Sequence, residues 1–510
     1  MTSADRTHVV GREPSRNEGS RAADPAAARE NMAHDNKARD DTARDDMPHD
    51  DMPHDDMPHD NRVRDLMAQL PPALVADPHP GFVRWVLHAF YDCVWMLVIV
   101  LASPWWGWRC LTDREFRAMA RARLAWGVPR RASGGRRRVL VHGVSVGEVK
   151  GAQALVRELE RARPDLEVVI CTTTANGVRV AHKTYPDHIV LRFPLDVSFA
   201  VRRFLKRVDP VCVVLVELEI WPNFLRCANR AGVPVAVVNG RITDKSFGHY
   251  RWFKHLLPQF NRLTLLCVQD DEYAARFRSL AADPARILVT GNIKVDGLRT
   301  GRVEPAPELV QRIGPRPGQL VIVAGSTHEP EERLLVAAAR AHAPDARLVL
   351  VPRHPERAPE IVKALETSGV RAQRLTELRR GETPDPSRPC IADTIGELEP
   401  IYGLADLVYV GGSLIPHGGQ NMLEPAAQER AVIYGPHVHN FTAEAALLER
   451  AGAALRIASV EELGPALSAL LADGERRARM GSAGRAAVEA QRGATRLTLD
   501  ALSARALLSP

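Results

Sequence analysis

Cysteine is scarce and scattered in this 510-residue chain: seven residues, at 93, 110, 171, 212, 227, 267 and 390, odd in number and without a Cys-x-x-Cys pair. That excludes a disulfide framework and a zinc ribbon, and it suits a reducing compartment. Charge of one sign is not in large excess either. Lys plus Arg total 68 against 62 acids, and a net charge of +6 makes no argument for nucleic acid. The first residues lack the short apolar core after a basic start that marks a secretory signal. Long apolar runs are confined to one stretch, from Trp85 to Trp108.

What is present divides the chain. Residues 1–79 hold few aliphatic side chains, an excess of acids and a repeated five-residue unit, Asp46-Met47-Pro48-His49-Asp50 and its copies. Such a segment cannot bury enough surface to offset chain entropy, so a disordered acidic tail is expected. The Trp85–Trp108 stretch has Asp92 as its only formal charge. With Trp95, Trp105, Trp106 and Trp108 suited to a headgroup zone, it reads as a membrane anchor over 80–110, either spanning the bilayer or lying in its surface. Arginines at 109, 114, 117, 121, 123, 130, 131 and 136–138 follow it. They place the downstream body in the cytoplasm, with 130, 131 and 136–138 as candidates for anionic lipid or acceptor phosphates.

From Arg137 the pattern is regular. Val/Leu-rich runs at 139–142, 167–171, 189–191, 211–216, 233–238, 264–268 and 286–290 alternate with helical periodicity, which indicates a parallel sheet covered on both faces. A Pro-rich segment, 302–318, reads as a linker. A second series begins at 320–324 and continues at 347–351, 407–410 and 431–434. The expected architecture is α/β: two doubly wound domains, 111–301 and 319–490, facing across a cleft, closed by a C-terminal helix over 491–510 that packs back across them.

One stretch is rich in chemistry. The strand Leu407–Val410 opens into Gly411-Gly412-Ser413, then Gly418-Gly419-Gln420-Asn421 and a helix bearing Glu424. Glycines that bring backbone N–H groups to a phosphate, with an early helical carboxylate for a ribose, suit a nucleotide-sugar site, although glycines also shape ordinary turns.

Seven motifs in order carry a resemblance: Ser145-Val146-Gly147-Glu148, Glu217 to Asn223, Gly291 to Asp296, Gly325-Ser326-Thr327-His328, Arg353 to Arg357, Asp393 to Glu397, and Asn421 to Pro425. Over about 82–495 the chain resembles the 3-deoxy-D-manno-octulosonic acid (Kdo) transferases of lipopolysaccharide biosynthesis. Gly143 and the Asn239-Gly240-Arg241-Ile242-Thr243 run depart mildly from the family pattern. The resemblance implies a GT-B fold, CMP-Kdo as donor substrate rather than cofactor, a lipid A precursor (lipid IVA) as acceptor, and attachment to the cytoplasmic face of the inner membrane.

Chemical need then assigns roles. Glu148, at a helix start that should depress its pKa, is the expected base for the acceptor hydroxyl. Glu217 and Glu219 flank Leu218 at a strand end and so should point the same way, with Glu219 favoured as an orienting carboxylate. Ser145, Gly147, Arg241 and Lys294 are acceptor-side candidates. On the donor side stand Ser326, Thr327, Arg353, His354, Thr394, Gly396, Glu397, Gly412, Ser413, Asn421 and Glu424, with Arg353 on phosphate and Glu424 on ribose. Neither a DxD pair nor a His/Cys cluster accompanies them, so neither metal nor cofactor is expected. The alternatives are another GT-B transferase or an epimerase using a UDP-sugar, and a non-catalytic membrane-tethered nucleotide-binding module.

Overall fold

The computed structural model describes residues 81–132, 134–253, 259–280, 283–505 and 507–508. The tail and its repeat lie outside them.

Two all-parallel sheets organise the chain. The first comprises β1 (Arg137–His142), β2 (Leu166–Thr172), β3 (Ile189–Arg192), β4 (Pro210–Val216), β5 (Val235–Gly240), β6 (Leu265–Val268) and β7 (Ile287–Val289), in spatial order β3-β2-β1-β4-β5-β6-β7. Alternation sends Leu140, Val169 and Val213 to a core with Phe204, Phe224 and Phe277 on one face. Val139, Val168 and Val214 go to a second core on the other. Each fully buried Val or Leu contributes about 1.5–3 kcal/mol, which is why continuous apolar runs specify central strands. Pro234 has no N–H to give the ladder, so β5 starts one residue later, at Val235, and Pro234 only accepts, from Val213 N at 3.0 Å.

The second sheet contains β8 (Val321–Thr327), β9 (Arg347–Pro352), β10 (Gln373–Arg374), β11 (Cys390–Ile391), β12 (Leu407–Val410), β13 (Ala431–Tyr434) and β14 (Ala454–Arg456), ordered β10-β11-β9-β8-β12-β13-β14. The short β10, β11 and β14 carry no periodic signal and escape the sequence pattern. The expected linker is not bare chain: Pro307–Ile313 is a helix whose Leu309 and Ile313 are buried in the second domain's core. The Gly474–Glu489 helix packs on the second domain. The following Ala494–Ala504 helix returns to the first, where Leu499 and Leu502 join the core beside Ile293. Asp296 clamps that crossing by accepting from Gly493 N (2.8 Å) and Thr495 N (2.5 Å).

Both sheets reverse their winding once, between β1 and β4 and between β8 and β12. The crevice outside the carboxyl ends of strands at such a reversal is where open α/β sheets bind ligands.

Candidate active site

At the first reversal, β1 runs into a turn and a short helix, Val146–Gly151. Ser145 is its N-cap: Ser145 Oγ accepts from Glu148 N (3.2 Å) and donates to Glu148 Oε1 (2.7 Å), while Val144 N donates to Oε2 (2.7 Å). This reciprocal cap fixes the carboxylate at the sheet edge, under the exposed lip of Ser145 and Gly147. Gly143 makes the placement possible, since a Cβ there would sit 2.9 Å from Glu148 Cβ. The departure at 143 therefore has a steric use.

Glu148 is only 8 % exposed. Burial, followed by the nearby Glu217 charge, pushes its carboxyl up and outweighs the cap. The expectation of a depressed pKa is corrected: the helix-start effect is real, but dehydration is larger here. Glu219 moves further, to about 8, through burial and the Glu148 charge, and it accepts from Trp221 Nε1 at 3.0 Å. Glu217 and Glu219 do not share a face by strand alternation, because β4 ends at Val216 and Glu217 bends away with φ +65°. Its carboxylate instead pairs with Lys294 Nζ and lies 4.0 Å from Arg241 Nε. Lys294 passes beside Gly151, where a Cβ would stand 2.9 Å from its Cγ and Cε. Asn239, at φ +55°, accepts from Ile293 N (3.0 Å) and sets the start of the helix that carries Lys294. Backbone strain of this kind at two neighbouring strand ends is typical of a functional edge.

The Glu219 shift has a testable consequence for stability. Its folded pKa lies above the ordinary value of 4.5, so the unfolded chain releases the proton first and stability falls as pH rises from about 4.5 towards 8. Glu219→Gln should be close to neutral at pH 5 and stabilising at pH 8, by about 1–3 kcal/mol after solvent screening. Thermal unfolding of both proteins at the two pH values checks the sign.

At the second reversal, β8 ends in Ser326 (φ +55°) and Thr327, followed by the half-buried His328. Glu331, wholly buried, organises this edge. It accepts from His328 N (3.0 Å), Gly412 N (2.7 Å), Ser413 N (3.0 Å), Leu414 N (3.0 Å) and Tyr409 Oη (2.7 Å). The amides after β12 are thus satisfied internally, which corrects the reading that the first glycine pair offers them to phosphate. Among the described residues, the amides of Gly418, Gln420 and Asn421 have no acceptor in the chain.

Other donor-side candidates divide by exposure. Thr327 and Ser413 are fully buried, their hydroxyls donating to Glu332 and Val410, and they leave the contact set. Glu397 is held by Arg379 and Thr394, so this acid and Thr394 brace a loop whose tip is exposed Gly396. Arg353 is exposed and pairs with no described acid or carbonyl. His354 stands 3.3 Å from Glu356, and its ring lies 6.1 Å from that of His328. His328 is pushed down to about 4 by burial and by His417, whose ring is 4.1 Å away beside Gly412. Asn421 Nδ2 donates to half-buried Glu424 (3.0 Å).

The two edges face one another. Glu424, raised by burial, feels both Arg353 and Lys150, the latter on the short helix of Glu148. Glu444, on the Thr442–Arg450 helix, feels Arg241 and Lys294. Lys150, Glu331, His417 and Glu444 lie outside the candidate set, and Glu217, considered there only beside the favoured Glu219, is the partner of Lys294. For Glu331 the signal is missing in principle, because most of its partners lie about 80 positions away. Conversely, Arg131 and Arg138 are removed from the acceptor set: they pair with Asp209 (2.9 Å) and Glu167 (2.7 Å). Residues 130–138 precede or begin β1, a strand's length from the acids at its other end.

Two facing doubly wound domains with acids on one edge and an anion-receptive edge opposite define the GT-B type of architecture. A crystal structure of a glycosyltransferase from Rickettsia africae shares the fold, with a TM-score of 0.51 and 12 % identity over 73 % of this chain and 99 % of that one. Residues 118–297 match the family described as 3-deoxy-D-manno-octulosonic-acid transferase (kdotransferase). The 3-deoxy-D-manno-octulosonic acid transferase of Bordetella pertussis is 34 % identical over 83 % of this chain and 98 % of its own length. That of Haemophilus influenzae is 33 % identical over 71 % and 86 %. The chain belongs to the Kdo transferase family of lipopolysaccharide biosynthesis.

Proposed function

We propose that the protein transfers Kdo from CMP-Kdo to a lipid A precursor, the tetraacyl disaccharide bisphosphate lipid IVA, at the cytoplasmic face of the inner membrane. The carrying observation is the opposition of buried Glu148 and half-buried Glu219 to the unpaired Arg353 and the Asn421–Glu424 couple. Arg353 binds the phosphate and Glu424 the ribose hydroxyls, with the free amides of 418, 420 and 421 beside them. The incoming acceptor hydroxyl replaces the Ser145 hydroxyl on Glu148 Oε1. Glu148 takes the proton as the acceptor oxygen bonds the anomeric carbon of Kdo. The bond from that carbon to the phosphate oxygen breaks, and CMP leaves with the electron pair. Glu219 keeps its own proton at neutral pH, which limits the negative charge around Glu148. Lys294 and Arg241 compensate Glu217.

The proposed reaction uses neither metal nor cofactor, since protein cations stand where phosphate charge arrives. It also involves no nucleic acid. Arg353 reports on the donor site alone, since a non-catalytic nucleotide-binding module would need it too; Glu148→Ala, which should abolish transfer and leave CMP binding intact, separates the two. Arg353→Ala should raise the Kd for CMP about 10–100-fold, with Arg353→Lys recovering part of the loss. Calorimetric titration with CMP and with UDP measures it. Preference for UDP in the unmutated protein would support the UDP-sugar alternative instead.

A further inference from the structure

The Gly81–Thr112 helix is long and apolar enough to cross a membrane, yet it is tied to the body along its first half. His88 is buried, with Nε2 3.0 Å from Arg262 Nη2. Tyr91 Oη donates to Asp196 (3.1 Å). Asp92 accepts from Ser198 N (3.1 Å), Ser198 Oγ, Asn223 Nδ2 (2.8 Å) and Arg226 Nη2 (3.2 Å). Asp196 in turn accepts from Asn223 N (3.1 Å) and Phe224 N (2.8 Å). Positions 88, 91 and 92 form one stripe of the helix.

The other end is tied as well. Asp113 caps a second helix, Arg114–Arg123, whose Phe116 meets the rings of Trp105 (5.5 Å) and Trp106 (6.3 Å) edge-on. At its last residue Arg123 O accepts from Leu195 N (2.8 Å), and beyond it Ala125 and Val128 enter the first core. Leu195, Asp196, Ser198 and Asn223 all belong to segments leaving the carboxyl ends of β3 and β4. Both ends of the 93–122 hairpin therefore meet the edge that carries Glu148 and Glu219.

A spanning segment delivers its ends to opposite sides. From Asp92, about 20 residues would be needed to cross, which reaches residue 112. The return helix has 10 residues and rises about 15 Å, too little to recross the bilayer. It also carries exposed Arg114, Arg117 and Arg121. Meanwhile the outward ridge is apolar and open, with Leu101 71 % and Leu111 79 % exposed beside Leu97, Trp105 and Trp108. An apolar ridge flanked by arginines matches an anionic lipid surface.

We infer that residues 81–123 are a one-leaflet anchor. The hairpin lies in the cytoplasmic surface of the bilayer with both ends on the cytoplasmic side. The Asp92 knot is the strut that holds the acid-bearing edge at the height of a lipid-borne acceptor. This rests on the membrane attachment proposed above and specifies its geometry.

The test uses the full chain with an epitope fused ahead of Met1, expressed in a Gram-negative host and exposed to proteinase K. The expected result is a membrane-bound chain whose epitope survives in intact spheroplasts and disappears on lysis. Loss of the epitope from intact spheroplasts, with the chain still membrane-bound, overturns the one-leaflet anchor but not membrane attachment. A chain recovered in the soluble fraction, or as a dimer sealed through the ridge, overturns both. On vesicles of phosphatidylethanolamine and phosphatidylglycerol, the purified double variant L101D/L111D should partition at least tenfold less than the parent with CMP affinity unchanged. Equal partition contradicts the proposed lipid face.

Discussion

Glu148→Gln is expected to lower kcat for Kdo transfer by about 10²–10⁴-fold and to leave the Kd for CMP within a factor of two. Glutamine keeps the volume and one acceptor oxygen, so either the Val144 N or the Ser145 Oγ contact survives and the helix start persists. What it cannot do is receive the acceptor proton. The amide also removes one charge from a crowded edge, which relieves Glu219 and lowers the pKa that burial and Glu148 together hold at about 8. A pH titration of the variant should therefore show Glu219 ionising at lower pH, a change that a purely architectural Glu148 would also cause. Only the split between kcat and CMP affinity separates the two roles. Single-turnover kinetics with calorimetry measures both, and a variant retaining kcat within tenfold would remove Glu148 from the proton transfer.

The second large effect belongs to a residue with no proposed contact to substrate. Glu331→Ala leaves the buried amides of Gly412, Ser413 and Leu414, the half-buried amide of His328 and the Tyr409 hydroxyl without the acceptor they now share. Losing a buried, fully bonded carboxylate while its donors remain costs about 3–5 kcal/mol. The loop after β12 should lose its shape with it, and CMP binding should disappear even where the protein remains folded. Urea unfolding followed by domain-specific fluorescence, together with a CMP titration under native conditions, checks both halves. Unchanged stability would mean that the loop is held by its other bonds, among them those of Ser413 to Val410, Gly435 and His437 and that of Gly411 to Gly325.

Much of this architecture is legible because parallel strands buried on two faces announce themselves as unbroken Val/Leu runs: β1, β4, β12 and β13 lie where periodicity places them. β10 and β11 have two residues each and are held only by neighbours, so their local sequence carries nothing to read. The Pro307–Ile313 helix was hidden by its prolines, although Pro307 at the first helical position favours a helix start. At the site, position along the chain shows which residues leave carboxyl ends of strands, and so Glu148, Arg353 and Glu424 stand at sheet edges. Which side chains then turn inward depends on long-range partners. Ser413 and Thr327 are consumed by their own domain, Glu217 is claimed by Lys294 from 77 positions away, and Asp92 finds Asn223 131 positions on. The basic run at 130–138 misleads for a related reason: composition records charge, but strand direction decides which end of the sheet it occupies.

The central claim is that the acid edge of the first domain and the anion-receptive edge of the second jointly move Kdo from a cytidylate to a lipid-borne hydroxyl. The purified full chain, incubated with CMP-Kdo and tetraacyl disaccharide bisphosphate in anionic vesicles with chelator present, tests it when lipid mass and released CMP are measured together. The expected result is acceptor heavier by whole Kdo units with one CMP released per unit, and product formation by Glu148→Gln slowed at least about 100-fold. Unchanged acceptor with intact CMP-Kdo, or transfer only from a UDP-sugar, would contradict it.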